Sequence, residues 1–134
     1  MRRQPNGVKP SAEIEAVVTA AYDAFNRRDV DAALSAMTDD VEWANGWEGG
    51  HVRGRAAVRD YWRRQWEEID PRVTPLDMTL DERGRVLVDA RQEVRDRDGN
   101  VMAVGRALHA YRLEGGLVAR FDILILDAGG DPRP

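Results

Sequence analysis

Two histidines stand in this chain, His51 and His109, and there is no cysteine. Proton transfer near neutral pH therefore falls first to an imidazole, whose unperturbed pKa of about 6.5 lies close to working conditions. His109 sits in the stretch GRALHAYRL, residues 105–113. Alternation sets Ala107, His109, Tyr111 and Leu113 on one face, and Arg106, Leu108, Ala110 and Arg112 on the other. Unpaired buried charge is costly, so the arginine face turns outward and His109 turns inward. There it can act as a general acid or base, oriented by Tyr111 or Asn45, or it can be a core histidine bonded to a neighbouring strand. His51 lies in the glycine-rich stretch GWEGGHVRG beside Trp47. It is a candidate ligand contact at a cavity mouth, or a solvated loop residue.

Other chemistries find less support. The lack of cysteine excludes disulfides, thiolate metal sites and a thiol nucleophile. Two histidines so far apart form no metal motif, and DRDGN lacks the length and spacing of a calcium loop, so neither metal nor cofactor is expected. Asp89 and Arg91 share a strand face and read as an exposed or interfacial ion pair. Arg120 and Asp122 read the same way, unless the last strand is shifted by one residue, which the EGG turn before it allows.

These groups must be held by elements that the sequence patterns mark out. Ser11 caps a helix whose apolar stripe is Ile14, Val17, Val18, Ala21, Tyr22 and Phe25. Asp29 caps a short second helix with Val30, Ala33, Leu34 and Met37 on its buried side. DDVEWAN follows as a strand with Val41, Trp43 and Asn45 on one face. After the glycine loop, RAAVRDYWRRQWEEI is a helix with Val58, Tyr61, Trp62, Gln65, Trp66 and Ile69 in its stripe, ended by Asp70-Pro71. The remainder reads as four strands joined by hairpins. RVTPLDMTL belongs at an edge, because Pro75 cannot donate to a ladder. RVLVDARQEVR, VMAVGRALHAYRL and LVARFDILIL follow, with Gly105 a candidate bulge or bend. The result is an α+β domain, an antiparallel sheet covered by helices on one side.

Apolarity sorts the faces of that sheet. Val86, Val88, Ala90, Gln92 and Val94 point inward, as do Leu117, Ala119, Phe121, Ile123 and Ile125. The inner surface is then aliphatic and aromatic, with Asn45, Gln92, His109 and Tyr111 as its few polar groups. Tyr22 and Trp62 or Trp66 join it from the helices, and Trp43 and Trp47 are candidates to line a ligand. Such a mixture is the usual composition of a small-molecule site. The outer face mixes Leu87, Met102, Val104, Leu108, Val118 and Leu124 with charges, which suggests a partner sheet.

The chain has 134 residues and a net charge of −4, from 20 basic and 24 acidic side chains. That fits one domain, and it gives no reason to expect nucleic acid or an anionic membrane as partner. No apolar run approaches the roughly 20 residues a membrane helix needs, and no apolar segment follows the basic start, so a cytoplasmic protein without a secretory signal is expected. Residues 1–10 and 128–134 read as loose tails around a folded unit over 11–127.

AYDAFNRRDVDAALSAMTDDVEW, HVRGRAAVRDYW and GRALHAYRLEGGLVARFDIL, in that order, resemble the nuclear transport factor 2-like superfamily, in its SnoaL-like and ketosteroid-isomerase-like branches. The resemblance covers about residues 12–127. It implies a cone-shaped α+β roll of the cystatin-like type, with three N-terminal helices packed on a curved sheet. It also implies a pocket at the wide end and homodimers through the outer sheet face. The isomerase branch uses a tyrosine and two aspartates. Tyr22 or Phe25 falls near the first position, Asn45 or Trp43 near the second and His109 near the third, so neither aspartate is present. Members include isomerases, cyclases, hydrolases and proteins without catalysis, and the fold alone does not choose among them. The expectation is a site for a small hydrophobic cyclic or polyketide-like molecule, open to acid–base isomerase, cyclase or hydrolase chemistry. A non-catalytic binding or protein-association module is the alternative.

Overall fold

The computed structural model describes residues 8–127, as three helices and one six-stranded sheet. The tails expected over 1–7 and 128–134 lie outside the described residues. Helix α1 spans Ala12–Arg27, with the Ser11 hydroxyl accepting from the backbone N–H of Ile14 as its N-cap. Glu13 and Glu15 in the first turn and Arg27 in the last complement the helix dipole. The helix ends at Arg28, which takes a left-handed conformation at φ 64°. That geometry disfavours a side chain with a Cβ. Here the guanidinium offsets the cost by bonding the carbonyls of Phe25 and Pro71 and the carboxylate of Asp70, and by lying 4.9 Å from the Trp66 ring. Helix α2, Val30–Ser35, is capped by Asp29 as expected. Met37 belongs not to this helix but to the first strand, and it is fully buried there.

Strand β1 runs Met37–Ala44 and β2 only His51–Arg53, where the sequence suggested loop alone. Helix α3 covers Arg55–Glu68. Strands β3, Asp70–Leu80, β4, Val86–Arg95, β5, Val101–Glu114, and β6, Leu117–Asp127, complete the sheet in the order β2-β1-β6-β5-β4-β3. All neighbours are antiparallel except β1 and β6, which run parallel, so the sheet is mixed. Pro75 does lie on an edge strand, β3. Residues 8–10, expected as tail, belong to the fold. The Leu80 N–H donates to the Val8 carbonyl over 2.6 Å, Lys9 pairs with Asp77, and Pro10 is buried.

Four bulges in β3, β5 and β6, beside a register shift between Met37 and Glu42 of β1, bend the sheet. The pairings of Pro75 with Ala90 and Asp77 with Asp89 leave Leu76 over. Those of Val94 with Ala103 and Arg95 with Val101 leave Met102. Ala119 and Leu124 are left over in β6. Gly105 pairs in register with Gln92, so the bulge expected near it sits three residues earlier, at Met102. Three of these extra residues, Leu76, Met102 and Leu124, are among the exposed large apolar side chains.

The bulges also re-sort β6. With Ala119 and Leu124 out of register, Val118, Phe121 and Ile123 lie opposite the inward residues Leu113, Tyr111 and His109. Ile125 lies opposite outward Leu108 and is 59% exposed. Strict alternation had placed Leu117 and Ile125 inward and Val118 outward. The opposite holds for Val118, which is 1% exposed in the core, and for Ile125. Arg120 and Asp122 remain on the outer face, opposite Arg112 and Ala110.

The concave face packs on α1 and α3. Val18, Val41, Val58, Val86, Val88 and Val118 are at most 1% exposed. Each contributes about 1.5–3 kcal/mol relative to an exposed position. The end of α1 is tied to β3 by a two-way bond. The Asn26 amide donates to the Val73 carbonyl over 2.7 Å and accepts from the Val73 N–H over 2.9 Å.

Candidate active site

Between the helices and the curved sheet lies a cavity of about 290 Å³. It is near the lower end of the range for small-ligand sites. Its walls are aromatic. Trp43 and Phe121, partners across the parallel β1–β6 pair, stack with ring centres 4.2 Å apart. Trp62 from α3 meets Trp43 edge-on at 5.4 Å and Phe25 of α1 at 5.2 Å. Tyr111 packs against Trp43 and Phe121. Such offset and edge contacts are the favoured geometries of aromatic pairs, and they link the rings into one frame around the cavity.

One polar cluster interrupts this lining. The Tyr22 hydroxyl of α1 lies 2.7 Å from Nδ1 of His109 on β5. The two rings are nearly parallel, and Tyr111 meets Tyr22 edge-on at 5.9 Å. His109 is 3% exposed, and its second partner ring, Phe121, stands 4.8 Å away. Among the described residues, the only fully occluded side-chain nitrogen or oxygen without a hydrogen bond is Nε1 of Trp66. The unpaired Nε2 of His109 is thus not sealed in protein, which agrees with its place on the cavity wall. It can act as a donor when Nδ1 accepts from Tyr22 and as an acceptor when Nδ1 donates.

Burial sets the charge state of the cluster. Desolvation lowers the His109 pKa from 6.5 to about 4, so the imidazole is neutral at physiological pH. Burial drives the Tyr22 and Tyr111 phenols well above the usual tyrosine range, and both stay protonated. Tyr61, further along the wall, is pushed up to about 12, again chiefly by burial. The arrangement presents neutral hydrogen-bonding groups to the cavity.

Of the residues singled out from the sequence, Tyr22, Trp43, Trp47, Trp62, Gln92, His109, Tyr111 and Phe121 all line the cavity. Trp47 is 38% exposed at its margin. The partner that orients His109 is Tyr22, not Tyr111 or Asn45. Asn45 is buried, but it organises the loop over residues 46–50 and does not line the cavity. Its Oδ1 accepts from the N–H groups of Trp47 and Glu48, and its amide donates to the Glu48 carboxylate. Glu48 is clamped in turn by Arg64 of α3. His51 is not at the cavity. It bonds Asp122 over 2.8 Å, in a cluster with Arg120 and Glu42 on the outer face of the sheet.

Sequence reasoning gave no site role to Tyr61, Gln65 or Ile69 of the α3 stripe, nor to Gly46, yet all four line the cavity. The signal was the stripe itself, which faces both core and cavity. Among the described residues no three His, Asp or Glu side chains converge as a metal site would require. No helix among them is long and apolar enough to cross a membrane.

Comparison with known proteins matches a family described as the SnoaL-like domain over residues 18–121. A search of curated proteins finds no match. Many solved structures share the fold. An NTF2-like protein of unknown function from Burkholderia pseudomallei is 25% identical with a TM-score of 0.75, covering 89% of this chain and 94% of its own. TerC, co-crystallised with polyporic acid, is 24% identical with a TM-score of 0.75, covering 87% of this chain and 92% of its own. A Mycobacterium tuberculosis protein in complex with estradiol-17β-hemisuccinate is 14% identical with a TM-score of 0.73, covering 86% and 95%.

Proposed function

The chain belongs to the SnoaL-like domain family, and from that premise we propose that its cavity binds a small hydrophobic ring compound whose oxygen is held by His109, itself oriented by Tyr22. The observation that carries this reading is the buried polar cluster Tyr22–His109–Tyr111, set in a mostly aromatic and aliphatic wall. Structural relatives crystallised with polyporic acid and with a steroid ester lend support to a ring compound in this type of cavity.

The chemistry open to the cluster is polarisation of a carbonyl. A neutral imidazole anchored at Nδ1 by a phenol presents Nε2–H to a ligand oxygen. In a dry cavity such a donor stabilises negative charge that develops on that oxygen. No carboxylate lines the cavity among the described residues, so the aspartate-based isomerisation of the related branch has no base here. With its pKa near 4, His109 is itself a weak base. That same observation favours the second reading, ligand binding without turnover. The outer face, with exposed Val101, Met102, Leu124 and Ile125, supports self-association into a homodimer through that sheet surface.

The test is a screen of ring ketones, phenols, epoxides and steroids against the wild type and His109→Leu. Binding is followed by quenching of the tryptophans, since three of the four line the cavity. Ligands that bind the wild type and lose affinity in the variant support the reading. Equal binding by both proteins removes the polar cluster from it. Incorporation of solvent deuterium next to the carbonyl of a bound ketone, faster with protein than without, separates catalysis from binding.

A further inference from the structure

We propose that the cavity selects an uncharged two- or three-ring ketone and rejects the carboxylate of the same shape. The inference rests on the ring-binding reading above and names the ligand class for that site. Its first support is the lining. None of the lining side chains is an aspartate, glutamate, lysine or arginine, and the hydrogen-bonding side chains come from Tyr, Trp, Gln and His alone. A carboxylate drawn into this space would lose its hydration and meet no cation.

Two arginines of the neighbouring elements are engaged elsewhere. Arg28 is tied to two carbonyls and to Asp70, and it lies over Trp66. Arg64 is paired with both Glu48 and Asp60. The aromatic rings act in the same direction, because ring faces carry the negative end of their quadrupole. The one ionisable nitrogen base inside, His109, is buried against Tyr22 and Phe121 and offers a dipole, not a charge.

The positive side of the selection is geometric. His109 lines the cavity from β5. Gln92 lines it further along the sheet, since His109 pairs with Val88 and Gln92 lies four residues further along β4. That separation is roughly 13 Å along the strand. Two or three fused rings span most of it, with a carbonyl at His109 and space for a second polar substituent at Gln92. The Trp43–Phe121 pair and the Trp62 ring favour a flat skeleton between them.

Three probes of nearly one shape make the test: 2-acetonaphthone, 2-naphthoate and 2-ethylnaphthalene. They carry a neutral acceptor, a charged acceptor and no acceptor. Dissociation constants are measured at pH 7.5 by calorimetry and tryptophan quenching, with wild type and His109→Leu. The expected order for the wild type is ketone tightest, and naphthoate weaker by about a hundredfold, the scale set by stranding a charge without a partner. In His109→Leu the ketone falls to the level of 2-ethylnaphthalene, while the naphthoate stays weakest. Naphthoate binding within threefold of the ketone overturns the charge selection and leaves the ring site standing. Failure of all three to bind overturns the ring site and this inference with it.

Discussion

Lowering the pH should destabilise this protein through His109, beyond what its carboxylates contribute. Burial holds its imidazole near pKa 4, against 6.5 for an unhindered histidine. Between those values an unfolded chain takes up a proton that the folded chain refuses. Stability is therefore complete above about pH 6.5, falls as the pH drops toward 4, and loses nothing more from this group below that. Each pH unit in the window is worth about 1.4 kcal/mol, so the loss by pH 4.5 is on the order of 2–3 kcal/mol. Because His109 is 3% exposed, solvent screening leaves this figure nearly whole. Urea unfolding of the wild type and of His109→Leu at pH 7.5 and pH 4.5 gives the assay. Carboxylates such as Asp122 and Asp81, held below their usual range by arginine partners, also lose stability in acid. They do so in both proteins, and the difference isolates His109. The wild type should lose on the order of 2–3 kcal/mol more than the variant. Equal losses would mean that the imidazole is protonated within the fold, and the account of a neutral, dry cluster would be refuted.

Further expectations follow from the neighbours of His109. Tyr22→Phe removes the partner of Nδ1 and should cost about 1–3 kcal/mol in urea unfolding, the usual cost of an orphaned buried group, while His109→Leu combined with it should cost less than the sum. Asn45→Ala deletes three side-chain bonds that shape residues 46–50, so hydrogen exchange at Trp47 and Glu48 should speed up at least about tenfold, with the sheet amides unchanged. Gly46→Ala would set its methyl 2.8 Å from Cδ1 of Ile123 on the cavity wall. The displaced isoleucine should weaken binding of a two-ring ketone by about tenfold, with a smaller effect, about 1 kcal/mol, on folding.

Much of this site could be read from the chain. The inward face of β4 and β5 follows from alternation, because arginines at 91, 106 and 112 leave only one orientation for His109 and Tyr111. The stripes of α1 and α3 supply Tyr22 and Trp62 for the same reason. What escaped notice lies in long-range pairing and in irregular register. Tyr22 and His109 are separated by 87 positions, and nothing local to either favours that pair over His109 with Tyr111. His51 and Asp122, 71 positions apart, meet only because β2 forms a hairpin on β1 and β1 lies beside β6. In LVARFDILIL every residue suits a regular strand, so the bulges at Ala119 and Leu124 carry no local signature. They answer to the curvature of the whole sheet. Asn45 was rightly placed as buried, but a short amide next to a glycine-rich turn bonds its own loop before it reaches a ligand.

The most direct test of the central claim is an NMR titration of protein labelled with ¹⁵N-histidine against 2-acetonaphthone at pH 7.5. His109 should show the spectrum of a neutral imidazole, and the ketone should move its Nε2 resonance as saturation is reached, leaving His51 unmoved. A saturating ketone that shifts neither His109 nitrogen, or an imidazolium spectrum before ligand is added, would contradict the assignment of the Tyr22–His109 pair as the heart of the site.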